Sequence, residues 1–282
     1  MGRLLIAMVL AIMAPFAGGA CAATLDDMRT NGILRIAYRE DAPPFAYKSA
    51  TGTPAGFMVE LCRAVAQGIG RKLGLAELKV VYIPVMSADR FDAIASGKAD
   101  LLCEATTHTL ERRRLVDFSI ATFADGASFM TLPDGPEDLS DLNGKKVGVL
   151  ANTTTEAGLR RALADARSSA EVVPARTHQE GLEALENRTV SAYFADRAIL
   201  AYLAKDAKTP ADLQIADIYL SIEPYALAMR RGDGEFRLAV DSELSRIYRS
   251  GEIDRIFAAV FGPSIRPSPQ VVNLYVTAAL PD

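Results

Sequence analysis

Residues 33–38 read ILRIAY, residues 57–73 FMVELCRAVAQGIGRKL and residues 78–85 LKVVYIPV, and this succession decides the fold class. The first and last segments are short and apolar, as buried strands are. Between them Phe57, Leu61, Val65, Ile69 and Leu73 recur every four residues, which draws one apolar stripe along a helix. A strand, a helix and a strand in that order predict a βαβ unit, with parallel strands and the helix packed on the sheet. Working onward, Asp89 to Ser96 reads as a short helix stopped by Gly97, and Ala99 to Cys103 as a third strand.

The pattern pauses at Leu132-Pro133-Asp134-Gly135-Pro136, a turn-rich break, and then starts again. Lys146 to Leu150 and Glu171 to Val173 read as strands around a helix over Glu156 to Ala166. Thr177 with Glu180 forms a capping box for a helix ending at Glu186. Val190 to Phe194 is then a strand, Asp196 to Leu203 a helix and Tyr225 to Met229 a strand. Phe236, Val240, Leu244 and Ile247 mark the apolar face of a last amphipathic helix. Two α/β series in 282 residues suit a chain longer than one ordinary core.

At the other end, Arg3 precedes an unbroken apolar run from Leu4 to Ala14, and Ala20-Cys21-Ala22 follows a small-residue stretch. This reads as a secretory signal over residues 1–22, cleaved before Ala23. The run holds Pro15 soon after and falls short of the roughly 20 apolar residues a membrane span needs. Cleavage removes Arg3, so Lys and Arg fall from 31 to 30 against 35 Asp and Glu, a net charge of −5. With half the residues hydrophobic and the balance acidic, a disordered tail, a collagen-like fibre and a basic nucleic-acid binder are excluded. Cleavage also discards Cys21 and leaves Cys62 and Cys103. An even count in an oxidising compartment points to one disulfide, with two buried thiols as the alternative. That bond would pin a helix to the sheet edge. Neither cysteine has a second Cys or His at metal-ligand spacing, so no metal or other cofactor is expected.

Between the two series, residues 107–119 read THTLERRRLVDFS. They resemble the T-x-T-x-x-R-x-x-x-x-D-F-S signature of the periplasmic amino-acid-binding proteins of ABC importers, extracellular solute-binding family 3. Further matches follow in the family's order: Pro44-Phe45 then Gly56-Phe57, residues 141–149 (DLNGKKVGV), Thr153-Thr154-Thr155-Glu156, and Phe194-Ala195-Asp196. The resemblance implies an α/β, type II periplasmic binding protein fold: two lobes joined by two hinge strands, with the ligand in the cleft between. Lobe 1 would comprise residues 23–123 and 225–282, and lobe 2 residues 124–224. It further implies a monomeric periplasmic protein that is not an enzyme, binds no nucleic acid, and hands an amino acid, a small-molecule ligand, to the membrane permease of an ABC importer.

Carried over residue by residue, Arg112 matches the ligand of the α-carboxylate, which a planar guanidinium can hold through two parallel bonds. Thr154 matches a second-lobe position whose N–H points at the same carboxylate from a helix start. Asp196 matches the ammonium ligand, with Thr107 adding a hydroxyl and Ala105 a carbonyl. Each also has an ordinary structural reading. Arg112 lies in an Arg112-Arg113-Arg114 run, commonly a solvated helix face; Thr153 and Asp196 precede helices, where both types serve as N-caps; Thr107 could satisfy a loop backbone.

The overall resemblance leans to the glutamate/aspartate-binding branch, through Leu78 to Val85, Cys103 before Thr106-Thr107, His178, and Ser264-Ile265-Arg266-Pro267. Basic-ligand members carry Asp where Arg39 falls, so a cation there suits an acidic side chain; the alternative is a surface Arg beside Glu40 and Asp41. His178 could donate to a side-chain carboxylate or be an ordinary first-turn residue. Several positions depart from the family. Ser128 stands where acidic-ligand pockets often carry Arg, Ala42 and Ser87 where other pockets place an aromatic ring, and Glu104 and Asn152 where Gly is usual. A carboxylate at Glu104 would repel an acidic ligand or recruit a donor-rich one, unless it points into solvent. The ligand is thus expected to be an acidic or polar amino acid. Related folds also serve as periplasmic dehydratases, which share the carboxylate-binding Arg, and as sensory modules.

Overall fold

The computed structural model describes residues 24–281, so the signal read over residues 1–22 lies outside the described residues. After α1 (Thr24–Asn31) and β1 (Ile33–Arg39), three short strands, β2 (Asp41–Ala42), β3 (Ala46–Lys48) and β4 (Pro54–Ala55), form a small antiparallel sheet. Then come α2 (Phe57–Lys72), β5 (Lys79–Val85), α3 (Arg90–Ala95), β6 (Leu101–Leu102), β7 (Asp117–Asp125) and β8 (Ala127–Thr131). The second series is β9 (Lys146–Leu150), α4 (Thr154–Asp165), β10 (Glu171–Ala175), α5 (His178–Glu186), β11 (Ala192–Asp196), α6 (Arg197–Lys205) and β12 (Gln214–Ile215). The chain closes with β13 (Glu223–Met229), α7 (Gly234–Arg249), α8 (Glu252–Phe261) and α9 (Pro269–Ala278).

Two five-stranded sheets organise these elements, in the orders β5-β1-β6-β13-β7 and β10-β9-β11-β8-β12. The βαβ reading predicts parallel strands, and β5-β1-β6 and β10-β9-β11 are parallel. Both sheets are nevertheless mixed. Strand β13 runs antiparallel to β6 and β7, and β8 antiparallel to β11 and β12. The antiparallel strands are those that cross between the lobes, so they enter each sheet from the far side rather than through a helical crossover. Two α/β lobes therefore face each other, and the carboxyl ends of β1, β6, β9 and β11 meet between them, where open α/β sheets place ligands.

The helical faces read from the sequence are inside: Leu61, Val65 and Ile69 on α2, and Phe236, Val240, Leu244 and Ile247 on α7 are all buried. Aromatic rings fill the space under the hinge. Phe45 stands edge-on to Phe123 and to Tyr225, with centroids 5.0 and 5.2 Å apart, and Phe57 meets Phe123 at 5.7 Å. Gly56 permits this packing, because with φ at 115° a Cβ would run into the Phe45 carbonyl. Gly126 does the same at the crossing, where a Cβ would strike the Ser221 carbonyl and the Tyr219 ring.

Cys62 on α2 and Cys103 are joined by a disulfide, with Cα atoms 6.3 Å apart. The expected attachment at the sheet edge is wrong in one respect: Cys103 follows β6, the middle strand of its sheet. The third strand is also shorter than Ala99 to Cys103, because the chain leaves the ladder after Leu102. The bond spans 41 residues, and closing a loop of that size in the unfolded chain is worth up to about 4 kcal/mol. Replacing both cysteines by serine is expected to lower Tm by about 5–10 °C in calorimetry. A melt unchanged to within about 1 °C would show that the bridge does not stabilise the fold.

Candidate functional site

A cleft opens where the strand ends meet, and its wall brings together Arg39, Ala105, Thr107, Arg112, Thr154, His178 and Asp196. Arg39 ends β1; Ala105 and Thr107 follow β6; Arg112 opens a one-turn helix, Arg112–Arg114, before β7. From the opposite sheet, Thr154 begins α4, His178 begins α5 and Asp196 ends β11. Asp196 is thus the last strand residue and precedes α6: the strand runs two residues beyond the expected Phe194, and the helix starts one residue later than expected.

Three guanidinium groups line the cleft. Arg112 turns inward from its basic run, donating Nη1 to the Thr107 carbonyl at 2.8 Å and lying over the Phe91 ring at 5.3 Å, while Arg113 and Arg114 are exposed. Burial pulls its pKa down, with Glu104, Glu223 and Asp196 acting in the other direction. Arg39 is no surface residue, being only 4% exposed; Nε and Nη2 meet Asp41 Oδ1 at 2.9 and 2.6 Å. Burial pushes the Asp41 carboxyl up, but Arg39 and His178 hold it below its ordinary value.

The third, Arg90, is absent from the sequence reading. It is buried, its Nε lies 3.2 Å from Glu104 Oε1, it donates to the Ser87 carbonyl, and it reaches the Asn152 carbonyl of the other lobe at 3.2 Å. Burial and the neighbouring arginines lower it to about 10 against the pull of Glu104, so it stays charged at neutral pH. One signal for it was present: Arg90 sits at helical spacing with Ala93 and Ile94 on the buried face of α3. Asn152 has φ of 61°, a left-handed backbone open to Gly and Asn, which accounts for the residue type there. Glu104 does not point into solvent; it is buried at 1% exposure and also accepts from Thr106 Oγ1.

On the acidic side, Asp196 is buried and caps nothing through its side chain. Its Oδ1 accepts from Thr155 Oγ1 at 3.1 Å and its Oδ2 from the Tyr225 hydroxyl. Burial, then Asp125 and Glu223, push its pKa up to about 7 in spite of these bonds. Glu223 on the hinge strand β13 was also missed. Its Oε2 accepts from Thr107 Oγ1 at 2.6 Å and Thr154 Oγ1 at 2.9 Å, one from each lobe. Thr107 therefore bridges the lobes rather than serving its own loop. Thr153 is the true N-cap, accepting from the Glu156 N–H at 3.1 Å, which leaves the α4 start open to the cleft. His178 is buried, with Nδ1 2.9 Å from the Tyr193 hydroxyl; burial and Arg39 depress it to about 3, so the ring is neutral. At Thr177 only half of the expected capping box forms. Thr177 accepts from Glu180 N–H, but the Glu180 carboxylate takes the Arg176 N–H instead, because Arg176 also pairs with it at 2.6 Å.

Residues 34–263 match the family model of bacterial extracellular solute-binding proteins, family 3. The chain belongs to that family. This solute-binding protein is 31% identical over 271 residues to the L-glutamate/L-aspartate-binding protein of Pseudomonas aeruginosa, covering 95% of this chain and 90% of the relative. It is 30% identical to the glutamate/aspartate import solute-binding protein of Salmonella typhimurium, over 90% of this chain and 84% of that one. An ancestral arginine-binding protein bound to glutamine shares the fold with a TM-score of 0.73 and 30% identity, over 82% of this chain and 98% of that one. The named relatives are solute-binding proteins rather than enzymes, and among the described residues of this one no helix is long and apolar enough to cross a membrane.

Proposed function

We propose that this solute-binding protein captures one acidic or polar amino acid by closing its cleft and delivers it to the permease of an ABC importer. The observation that carries this reading is that Arg112 from one lobe and Asp196 from the other line a single cleft. An α-amino acid presents a carboxylate and an ammonium on one carbon, and burying either unpaired costs several kcal/mol. Arg112, with the start of α4 at Thr154, takes the carboxylate; Asp196, aided by the Ala105 carbonyl and Thr107, takes the ammonium. Arg39, Arg90 and His178 surround the side chain. A ligand held this way prefers the closed arrangement to any open one and so shifts the population toward it. The lobes comprise residues 23–123 with 225–282, and 124–224. The protein works as a periplasmic monomer after loss of residues 1–22, and its acidic balance disfavours a nucleic-acid partner.

A thermal-shift screen of the twenty amino acids tests the reading: at least one must raise Tm, because a ligand that binds only the folded state stabilises it. A screen without any shift would contradict it. Affinity should also depend on pH, with a definite sign. Free Asp196 holds its proton up to about pH 7, and only the ionised form pairs with an ammonium. Affinity is therefore greatest near pH 8 and falls roughly tenfold per unit below 7. Titration calorimetry in buffers of different ionisation enthalpy should show about one proton released on binding at pH 6 and almost none at pH 8.

A further inference from the structure

Resting on the reading of an amino-acid cleft, the geometry points to a ligand whose side chain is an uncharged carboxamide, as in glutamine or asparagine, rather than a second carboxylate. The argument starts from counter-ions. Both cations around the side-chain end already have an acid of their own: Arg39 holds Asp41 at 2.6 Å, and Arg90 lies 3.2 Å from Glu104. His178 contributes no charge, its ring being buried against Tyr193. Two cations and two anions leave this end of the cleft formally neutral. A dicarboxylic amino acid would bring an anion with no uncompensated cation to meet it, and an unpaired buried charge is strongly disfavoured.

Hydrogen-bonding capacity agrees with the charge balance. A carboxamide has a carbonyl that accepts and an NH2 that donates. Guanidinium N–H groups at Arg39 and Arg90, both on the cleft wall, supply donors for the first. Glu104 keeps one oxygen, Oε2, buried without a hydrogen-bond partner, so its charge is not consumed by local donors. A lysine or arginine side chain is disfavoured in turn, because beside Arg39 and Arg90 the wall carries their guanidiniums and not Asp41 or Glu104. Glu104 and Asp41 are, in this account, the residues that set specificity by neutralising Arg90 and Arg39.

Titration calorimetry with glutamine, asparagine, glutamate and aspartate at pH 8 tests this on the wild-type protein and on Glu104→Gln and Asp41→Asn. The wild type should bind one of the amides at least tenfold more tightly than either acid. Each variant frees one guanidinium, so the ratio of acid to amide affinity should rise at least tenfold in either. Should Glu104→Gln fail to fold, Asp41→Asn, at a partly exposed site, carries the same test. An acid bound more tightly than both amides by the wild type, or an affinity ratio unmoved by the substitutions, overturns the inference and leaves the amino-acid reading intact. A protein that binds none of the twenty amino acids overturns both.

Discussion

Arg112→Ala should abolish amino-acid binding, with affinity falling at least 30-fold and, at the upper end, several-thousand-fold. Removing one partner of a buried charge pair costs about 2–5 kcal/mol, most of it the penalty on the carboxylate left behind. The α4 start at Thr154 would still offer its dipole, but a helix terminus carries only about half a charge. Arg112→Lys separates geometry from charge: an ammonium restores the Coulomb attraction without the two parallel bonds, so affinity should recover only in part. Because Arg112 also donates to the Thr107 carbonyl at 2.8 Å, the ligand-free Tm of each variant must be recorded beside its affinity. Wild-type affinity in a folded Arg112→Ala protein would remove the carboxylate site from this cleft.

Asp196→Asn should separate stability from function in the opposite direction. The carboxyl is buried beside Asp125 and Glu223, and its pKa stands near 7 instead of the usual carboxylate range. A carboxyl whose pKa is raised in the folded protein binds its proton more tightly there than when unfolded. Above pH 7, where it has lost that proton, folding is opposed by up to about 4 kcal/mol. That penalty is largest above the folded pKa and fades as pH falls from 7 toward the unfolded value. An asparagine keeps an acceptor for Thr155 and a neutral charge at all pH values. The variant should therefore melt higher than the wild type at pH 8, match it near pH 4, and show no ligand-induced rise in Tm at either. A destabilised variant at pH 8, or one that still binds, would mean that Asp196 is not an uncompensated anion awaiting an ammonium.

Much of this arrangement was legible in the sequence because it is local. The four-residue spacing from Phe57 to Leu73 and the face from Phe236 to Ile247 are properties of single helices, and Lys146 to Leu150 is a strand of the expected limits. The Thr107 to Ser119 signature put Arg112 in the cleft against the ordinary reading of a basic run. What escaped was non-local or too short for a period to develop. Strands β2, β3 and β4 are two or three residues long. Strand direction leaves no mark in an alternating pattern, so the antiparallel entry of β8 and β13 was invisible. Arg90 and Glu104, or Glu223 between Thr107 and Thr154, acquire meaning only when segments far apart in sequence are brought within about 3 Å. Arg90 reads as an ordinary helix-start cation until Glu104 is seen behind it.

The central claim is that one zwitterion is held with its carboxylate on Arg112 and its ammonium on Asp196. A crystal structure of the protein with its tightest-binding amino acid tests that most directly. It should show both carboxylate oxygens within about 3 Å of the Arg112 guanidinium and the ammonium nitrogen within about 3 Å of Asp196 Oδ1 or Oδ2. A ligand seated outside the cleft, or one reversed so that its ammonium faces Arg112, would contradict the account.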